Sequence, residues 1–301
     1  MRNRIERGRT APLLAAAALL SLSVAALVYA QPPQGAPPQG APPQGGRGGG
    51  GGGRGAGRGP QTPQTPKSAA PIDLTGYWVS IVTEDWLYRM VTPAKGDYSS
   101  VPINAAGRQI ADAWDPAKDE AAGEQCKAYG APFLMRLPGR FHITWADDNT
   151  MKIEADYGTQ TRLFHFNEAQ PQGGAPTLQG DSAATWEGLG RGGRGGGPGG
   201  FGGAGAQTGS GPPPVRPGSL KAVTTHLKPG YLRKNGVPYG ANTVLTEYYD
   251  MTKETNGDSW LIVTTIVNDP EYLTQEFITS THFKKLADSG PGWNPSPCAA
   301  K

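Results

Sequence analysis

Apolar and polar positions alternate strictly over residues 140–145, within a strand-like run 140–147. Phe141, Ile143 and Trp145 interleave with Arg140, His142 and Thr144. A period of two sends the two sets to opposite faces of a β-strand. Runs of similar texture occupy 73–86, 150–156, 159–167, 220–228, 242–251, 258–269 and 276–285, and Ala-Ala-Thr-Trp-Glu-Gly (183–188) adds another. They are rich in β-branched and aromatic residues, which suit a pleated, half-buried surface. Turn residues separate them: Asp-Asp-Asn at 147–149, Tyr-Gly-Thr at 157–159, Glu-Thr-Asn-Gly-Asp at 254–258 and Asn-Asp-Pro-Glu-Tyr at 268–272. Short strands joined by short turns predict a mainly β fold, an antiparallel meander that forms a barrel or strongly coiled sheet.

One segment breaks the period. Over 103–130, Asn104 is suited to cap a helix, and Ile110, Ala111 and Trp114 recur on one helical face. Asp115-Pro116 ends that helix, because the residue before proline avoids the α region. A second short helix is predicted over 117–127, so a small helical segment near 104–128 covers the sheet.

The remaining chain is different material. Arg2, Arg4, Arg7 and Arg9 precede an 18-residue apolar run at 11–28, and Val-Tyr-Ala follows. This is the pattern of an export signal, residues 1–30, with cleavage after Ala30. An uncleaved anchor is the alternative, although the run is short and Ala-rich for a span. No later stretch is long and apolar enough to cross, so no membrane span remains after cleavage. Residues 31–67 repeat a Pro-Pro-Gln-Gly-Ala unit and then become Gly/Arg-rich. Such composition supplies few side chains for a core and reads as a disordered tether. A second Gly-rich run, 188–217, interrupts what reads as one β-rich domain, 68–301.

Charge changes with this partition. The whole chain carries +3, but outside the signal and the two low-complexity runs 17 basic residues face 24 acidic ones. An acidic body repels a phosphate backbone. The Arg-Gly-Gly steps at Arg191 and Arg194 therefore do not mark a nucleic-acid tail, and no nucleic-acid partner is expected. With strands on both sides, 188–217 reads as a lengthened hairpin loop.

The two cysteines, Cys126 and Cys298, are even in number and, after export, meet an oxidising compartment. One disulfide tying the C-terminal tail to the body follows. The expected location is the periplasm or the exterior.

Two resemblances add to this. Asp-Leu-Thr-Gly-Tyr-Trp (73–78) resembles the Gly-x-Trp first strand of lipocalin-like barrels, which implies a Trp plugging one end with a late Arg packed on it. More broadly, DLTGYW, LPGRFHITW, GTQTRLFHF, WEG, LRKNGVPYGAN and WNPSPC resemble a family of exported bacterial β-rich proteins to which no activity is assigned. The resemblance covers nearly all of 72–298. It implies a short turn where 188–217 stands here.

Chemistry-bearing residues are few. His142, His165, His226 and His282 lie on separate strands without metal-ligand spacing, so no metal site is expected, and no cofactor. Nucleophile-elbow, zinc-protease, phosphate-loop and dinucleotide motifs are absent from the sequence. Adjacent carboxylates such as Asp147-Asp148 point to opposite faces of a strand and make no acid–base pair. The loop 229–242 carries Tyr231, Arg233, Asn235 and Tyr239 around an Asn-Gly turn, and polar aromatic loops on a rigid sheet are where binding residues concentrate. Arg162 and Glu247 are mid-strand charges. They point either to solvent or into a barrel, where they pair or grip a polar ligand. With His165 and His226 these six residues form the candidate ligand-binding set. The first reading is a non-enzymatic exported barrel binding a small or apolar ligand or a cell-envelope partner. A hydrolase or isomerase with a His/carboxylate site inside the barrel, and a structural envelope protein, are the alternatives.

Overall fold

Nine strands close into a ring in a computed structural model that describes residues 64–166, 174–187, 218–288 and 290–301. They are β1 (Gly76–Ile81), β2 (Arg140–Trp145), β3 (Thr150–Ala155), β4 (Thr161–Phe166), β5 (Asp181–Glu187), β6 (Ser219–Thr225), β9 (Val244–Lys253), β10 (Ser259–Asn268) and β11 (Phe277–Lys285). The order around the barrel is β1-β11-β10-β9-β6-β5-β4-β3-β2. Two further short strands, β7 (Gly230–Tyr231) and β8 (Pro238–Tyr239), form a separate hairpin. The export signal, residues 31–63 of the tether and the Gly-rich loop 188–217 lie outside the described residues.

The alternation seen in the sequence becomes inside and outside. Phe141, Ile143, Ile153, Phe164, Leu220, Tyr249, Leu261, Val263 and Phe283 are buried in the barrel, and their chain neighbours face outward. Aromatic rings fill the centre edge-on: Phe141 meets Phe283 at 5.4 Å and Phe164 meets Tyr249 at 5.5 Å. Each such side chain contributes about 1.5–3 kcal/mol by leaving water. Trp78 is fully buried, donates from Nε1 to the Leu74 carbonyl at 2.8 Å, and carries the Lys285 ammonium over its ring at 5.5 Å.

Eight of the nine ring contacts are antiparallel, as the meander predicts. The ninth is not: β4 and β5 run parallel, Phe164 beside Ser182. The strand pattern carries no direction, and β5 begins at the end of the barrel opposite to that where β4 stops. Across the Gly-rich interruption, β5 and β6 pair antiparallel over seven positions down to Glu187 beside Ser219. The residues flanking 188–217 are thus hairpin neighbours.

Strand directions sort the connections by end. The links 82–139 (β1 to β2) and 226–243 (β6 to β9) emerge at one end of the barrel, together with the β10–β11 loop. The β5–β6 link leaves from the opposite end, where the chain preceding β1 also arrives. There the Pro66 carbonyl accepts from Trp186 Nε1 at 2.9 Å, and Lys67 N donates to the Asp148 carbonyl at 3.2 Å. Residues 64–67, expected within the tether, are therefore packed on the barrel.

The helical cover departs in detail from its pattern. The first strand stops at Ile81 rather than running to 86. Asp85 turns the chain at φ 48°, and α1 (Trp86–Met90) follows. Helix α2 (Ala105–Asp112) is capped by Asn104, whose Oδ1 accepts from Gly107 N at 2.9 Å. Helix α3 (Pro116–Ala121) is capped by Asp115 and ends well short of 127, because Gly123 adopts φ +70°. A 3₁₀ turn (Lys127–Tyr129) and α4 (Ala131–Leu134) complete the cover. Cys126, just before that turn, is disulfide-bonded to Cys298, 5.1 Å apart at Cα. The tail is held further by Gly158 N donating to the Ser296 carbonyl at 2.9 Å and Ser296 N to the Asp156 carbonyl at 2.8 Å.

Candidate binding cleft at the covered end

The connection from β6 to β9 folds back on itself because Asn235-Gly236 supplies a tight turn. Gly236 sits at φ +82° with Trp114 directly above it, so only glycine fits. Leu232 N then donates to the Val237 carbonyl at 2.7 Å, and β7 pairs with β8. Leu232, Val237 and Tyr239 are buried in a second core cluster with Ala111, Leu245, Val267 and Phe277. The loop is thereby a rigid wall.

That wall separates its polar residues by role. Asn235 is buried and its Nδ2 donates to the carbonyls of Ala94, at 3.0 Å, and Asp97, at 2.8 Å. It struts the preceding loop. Arg233, also buried, stands 4.2 Å over the Tyr88 ring and donates to Ser100 Oγ at 2.9 Å. Burial lowers its guanidinium below the ordinary arginine range. Neither residue lines the cleft that the two tyrosines form.

Tyr231 and Tyr239 line a cleft of about 180 Å³ with Ile110, Lys127, Pro229, Gly230, Pro238 and Tyr272. Tyr239 is fully buried, and its hydroxyl lies against Gly130 and Gly230 and has no hydrogen-bond partner among the described residues. Burial pushes that hydroxyl well above the ordinary tyrosine range, so it stays protonated as a donor. At the cleft's edge Tyr231 donates to Asp119 Oδ2 at 2.9 Å, and Lys127 Nζ donates to Asp119 Oδ1 at 2.9 Å. Burial, then the Asp119 bond, push Tyr231 up to about 12. Burial would lower the Lys127 ammonium, but its bonds to Glu124 and Asp119 outweigh it and hold it above the lysine range. Past Tyr231 and Ile110 a more open groove of about 570 Å³ continues along α2 and α3, beside Trp114, Asp115 and Asp119. Ile110, expected to share a buried face with Ala111 and Trp114, is instead 40% exposed at the junction of both spaces.

Arg162 and Glu247 lie inside the barrel. The guanidinium is bidentate to the carboxylate, with Nη1 to Oε1 at 3.0 Å and Nη2 to Oε2 at 2.7 Å, and both side chains are fully buried. Nη2 also donates to Thr224 Oγ1 at 3.1 Å, and Thr224 bonds Ser182 at 2.7 Å. Phe164 stacks 4.8 Å from the guanidinium carbon. Desolvation opposes the charge on Arg162, but Glu247 outweighs it and raises the guanidinium.

The histidines do not join this pair. His165 is on the outward face of β4, with Nδ1 3.5 Å from Thr150 Oγ1. His226, at φ +56° on the rim, is 2.9 Å from Asp181 Oδ2. His142 stacks on Tyr77 at 4.0 Å, and His282 lies 3.4 Å from Glu84. Among the described residues no three His, Cys, Asp or Glu side chains gather as a metal-ligand group. The eight sequence candidates thus separate into a cleft pair (Tyr231, Tyr239), a core pair (Arg162, Glu247), two struts (Arg233, Asn235) and two outer histidines (His165, His226). Lys127, Ile110, Pro229 and Tyr272 were missed as cleft residues. The only local hint was the closeness of Lys127 to Cys126, since the tail's attachment fixes that turn.

Comparison of the chain with protein-family models, with curated proteins and with solved structures gives no match.

Proposed function

We propose that this chain is an exported barrel protein that binds a small, largely apolar ligand in the cleft between the helical cover and the β7–β8 hairpin. The observation that carries the reading is the cleft itself: a space of about 180 Å³, walled for the most part by apolar surface of Ile110, Pro229, Tyr231, Pro238 and Tyr272, with the Tyr231–Asp119–Lys127 polar group at its edge. Pockets of this type, apolar with a few placed polar groups, are the usual form of small-molecule sites. Export to the periplasm or exterior is part of the same proposal. The signal-like residues 1–30 support it, and the Cys126–Cys298 disulfide suits an oxidising compartment. Among the described residues no helix is long and apolar enough to cross a membrane. Membership of the exported β-rich family rests on the sequence resemblance alone. The lipocalin likeness is confined to the first strand, where Trp78 is buried with Lys285, rather than an Arg, over its ring. Lipocalin barrels have eight strands in up-and-down order, whereas this ring has nine with one parallel pair.

The test uses indole as a probe in saturation-transfer NMR on the oxidised protein. Wild type is expected to bind it, and Ile110→Trp, which fills the mouth of the cleft, to lose at least half of the signal. An absence of transfer at millimolar indole, or an undiminished signal in Ile110→Trp, overturns the reading.

A further inference from the structure

We infer that the C-terminal tail is a redox-controlled strap on the cleft. While Cys126–Cys298 is oxidised the tail holds the two walls together, and reduction by a dithiol loosens them. This rests on the ligand-binding reading above and assigns that site its regulation. The walls come from separate segments. One is the 3₁₀ turn Lys127–Tyr129, whose first residue lines the cleft. The other is the β7–β8 hairpin, which supplies Gly230, Tyr231 and Pro238. The tail touches both. On the first wall the disulfide joins Cys298 to Cys126, the residue before Lys127, and Ala299 N donates to the Tyr129 hydroxyl at 3.1 Å. On the second wall Lys234, beside the hairpin turn, donates from Nζ to the Lys301 carbonyl at 3.4 Å. The same ammonium donates to the Tyr157 hydroxyl at 3.1 Å and stands 5.4 Å over the Tyr129 ring. Upstream, Ser296 forms a parallel bridge with Tyr157 on the barrel rim. The tail thus crosses from the rim to one wall and on to the other.

The disulfide is the covalent member of this set. Past Ser296 the tail backbone is held by hydrogen bonds at Ala299 N and the Lys301 carbonyl. Ordering a residue's backbone costs about as much as one hydrogen bond returns, or more. Without the cross-link these bonds do not keep the last residues in place. Both cysteines are half-buried rather than enclosed, within reach of a small dithiol. One thiolate of the reductant attacks a bridge sulfur and breaks the S–S bond, forming a mixed disulfide. Its second thiol then displaces the protein sulfur. Two electrons and two protons pass to the protein, which gains two thiols, and the reductant closes as a disulfide. With the strap released the walls are paired only part of the time, and apparent affinity falls by that fraction.

The experiment measures indole affinity by NMR titration in four samples: oxidised wild type, wild type in excess dithiothreitol, Cys126→Ser with Cys298→Ser, and oxidised Lys234→Met. Reduced wild type and the double serine variant are expected to bind about threefold more weakly than oxidised wild type, or worse. Dithiothreitol should not change the double variant further. Lys234→Met keeps the disulfide but cuts the link to the hairpin, and should bind about twofold more weakly. Amide hydrogen exchange locates the change. The Leu232 amide, paired across the hairpin, and the Tyr129 amide should exchange about tenfold faster on reduction. Amides of β9 and β10 should stay protected, which separates a loosened cleft from a loosened fold. Equal indole affinity in the two redox states, or in Lys234→Met and wild type, overturns the inference while leaving the cleft a binding site. Faster exchange throughout the barrel also overturns it, since the bridge would then staple the whole fold. If no sample binds indole the functional reading itself fails, and exchange at Leu232 and Tyr129 alone decides whether the tail holds the walls.

Discussion

Removing one member of the Arg162–Glu247 pair should be among the most damaging single changes in the barrel. Glu247→Leu deletes the carboxylate that takes two hydrogen bonds and leaves a fully buried guanidinium with the neutral hydroxyls of Thr224 and Tyr249 as polar neighbours. Breaking a buried ion pair in this way costs about 3–5 kcal/mol, chiefly because the surviving charge is uncompensated. For a domain of this size each kcal/mol lowers the midpoint by roughly 2–4 °C, so the expected fall is roughly 6–20 °C. Arg162→Met should cost a similar amount. The double variant should not cost the sum. With both charges gone, the Ser182–Thr224 bond remains and apolar side chains fill the space, so stability should return to within about 2 kcal/mol of wild type or exceed it. Urea denaturation followed by tryptophan fluorescence measures this, provided the slope with denaturant stays constant between variants. A single-variant loss below about 0.5 kcal/mol, the size of an exposed substitution, would refute the reasoning. So would additive losses in the double variant, since adjacent partners must couple.

Three further outcomes are expected. Replacing 189–217 with a short Asn-Gly turn should leave the far-UV dichroism and urea midpoint unchanged, because Glu187 and Ser219 are already strand partners; loss of the folded spectrum would show that the segment is structural. Cys126→Ser with Cys298→Ser should destabilise by at most about 5 kcal/mol in the chain-entropy model, given the 172-residue separation, and should expose the tail to carboxypeptidase, read by mass spectrometry; a resistant tail would show that hydrogen bonds at Ser296 suffice. Gly158→Ala should lower the midpoint by several degrees, since Gly158 holds φ +84° and a Cβ there would lie 2.2 Å from the Tyr129 ring; an unchanged melt would contradict that packing.

The fold was legible to the extent that periodicity encodes it. Alternation alone puts Phe141, Ile143 and Trp145 on one face; Phe141 and Ile143 are buried in the barrel interior, and Trp145 is partly buried against that core. Alternation has no sign along the chain, so the parallel β4–β5 contact left no trace in it. Nor does it report closure, which depends on β1 finding both β2 and β11. The helical cover was partly readable through Asn104 and Asp115, whose side chains act locally as caps. Its later half was not, because Gly123 and the tail disulfide, rather than helical spacing, decide where α3 stops and where Lys127 sits. The cleft was half readable. Tyr231 and Tyr239 stood out as loop aromatics, while Ile110, Lys127 and Tyr272 come from three distant segments that only tertiary packing brings together. Arg162 and Glu247 were conspicuous as strand charges, but 85 residues separate them, and nothing local in either strand announces the other.

A ring of strands obeys a parity condition. Walking once around it, the chain direction reverses at every antiparallel contact and must return to its starting sense, so the number of reversals is even. Nine contacts cannot all be reversals; eight are, and the β4–β5 contact absorbs the remainder. The parallel seam is thus a requirement of the odd count and not a local accident of two strands. No single strand can be gained or lost here without a change in the number of parallel contacts. A ring of eight or ten strands must also abolish the seam or create a second one, so strand number and seam change together.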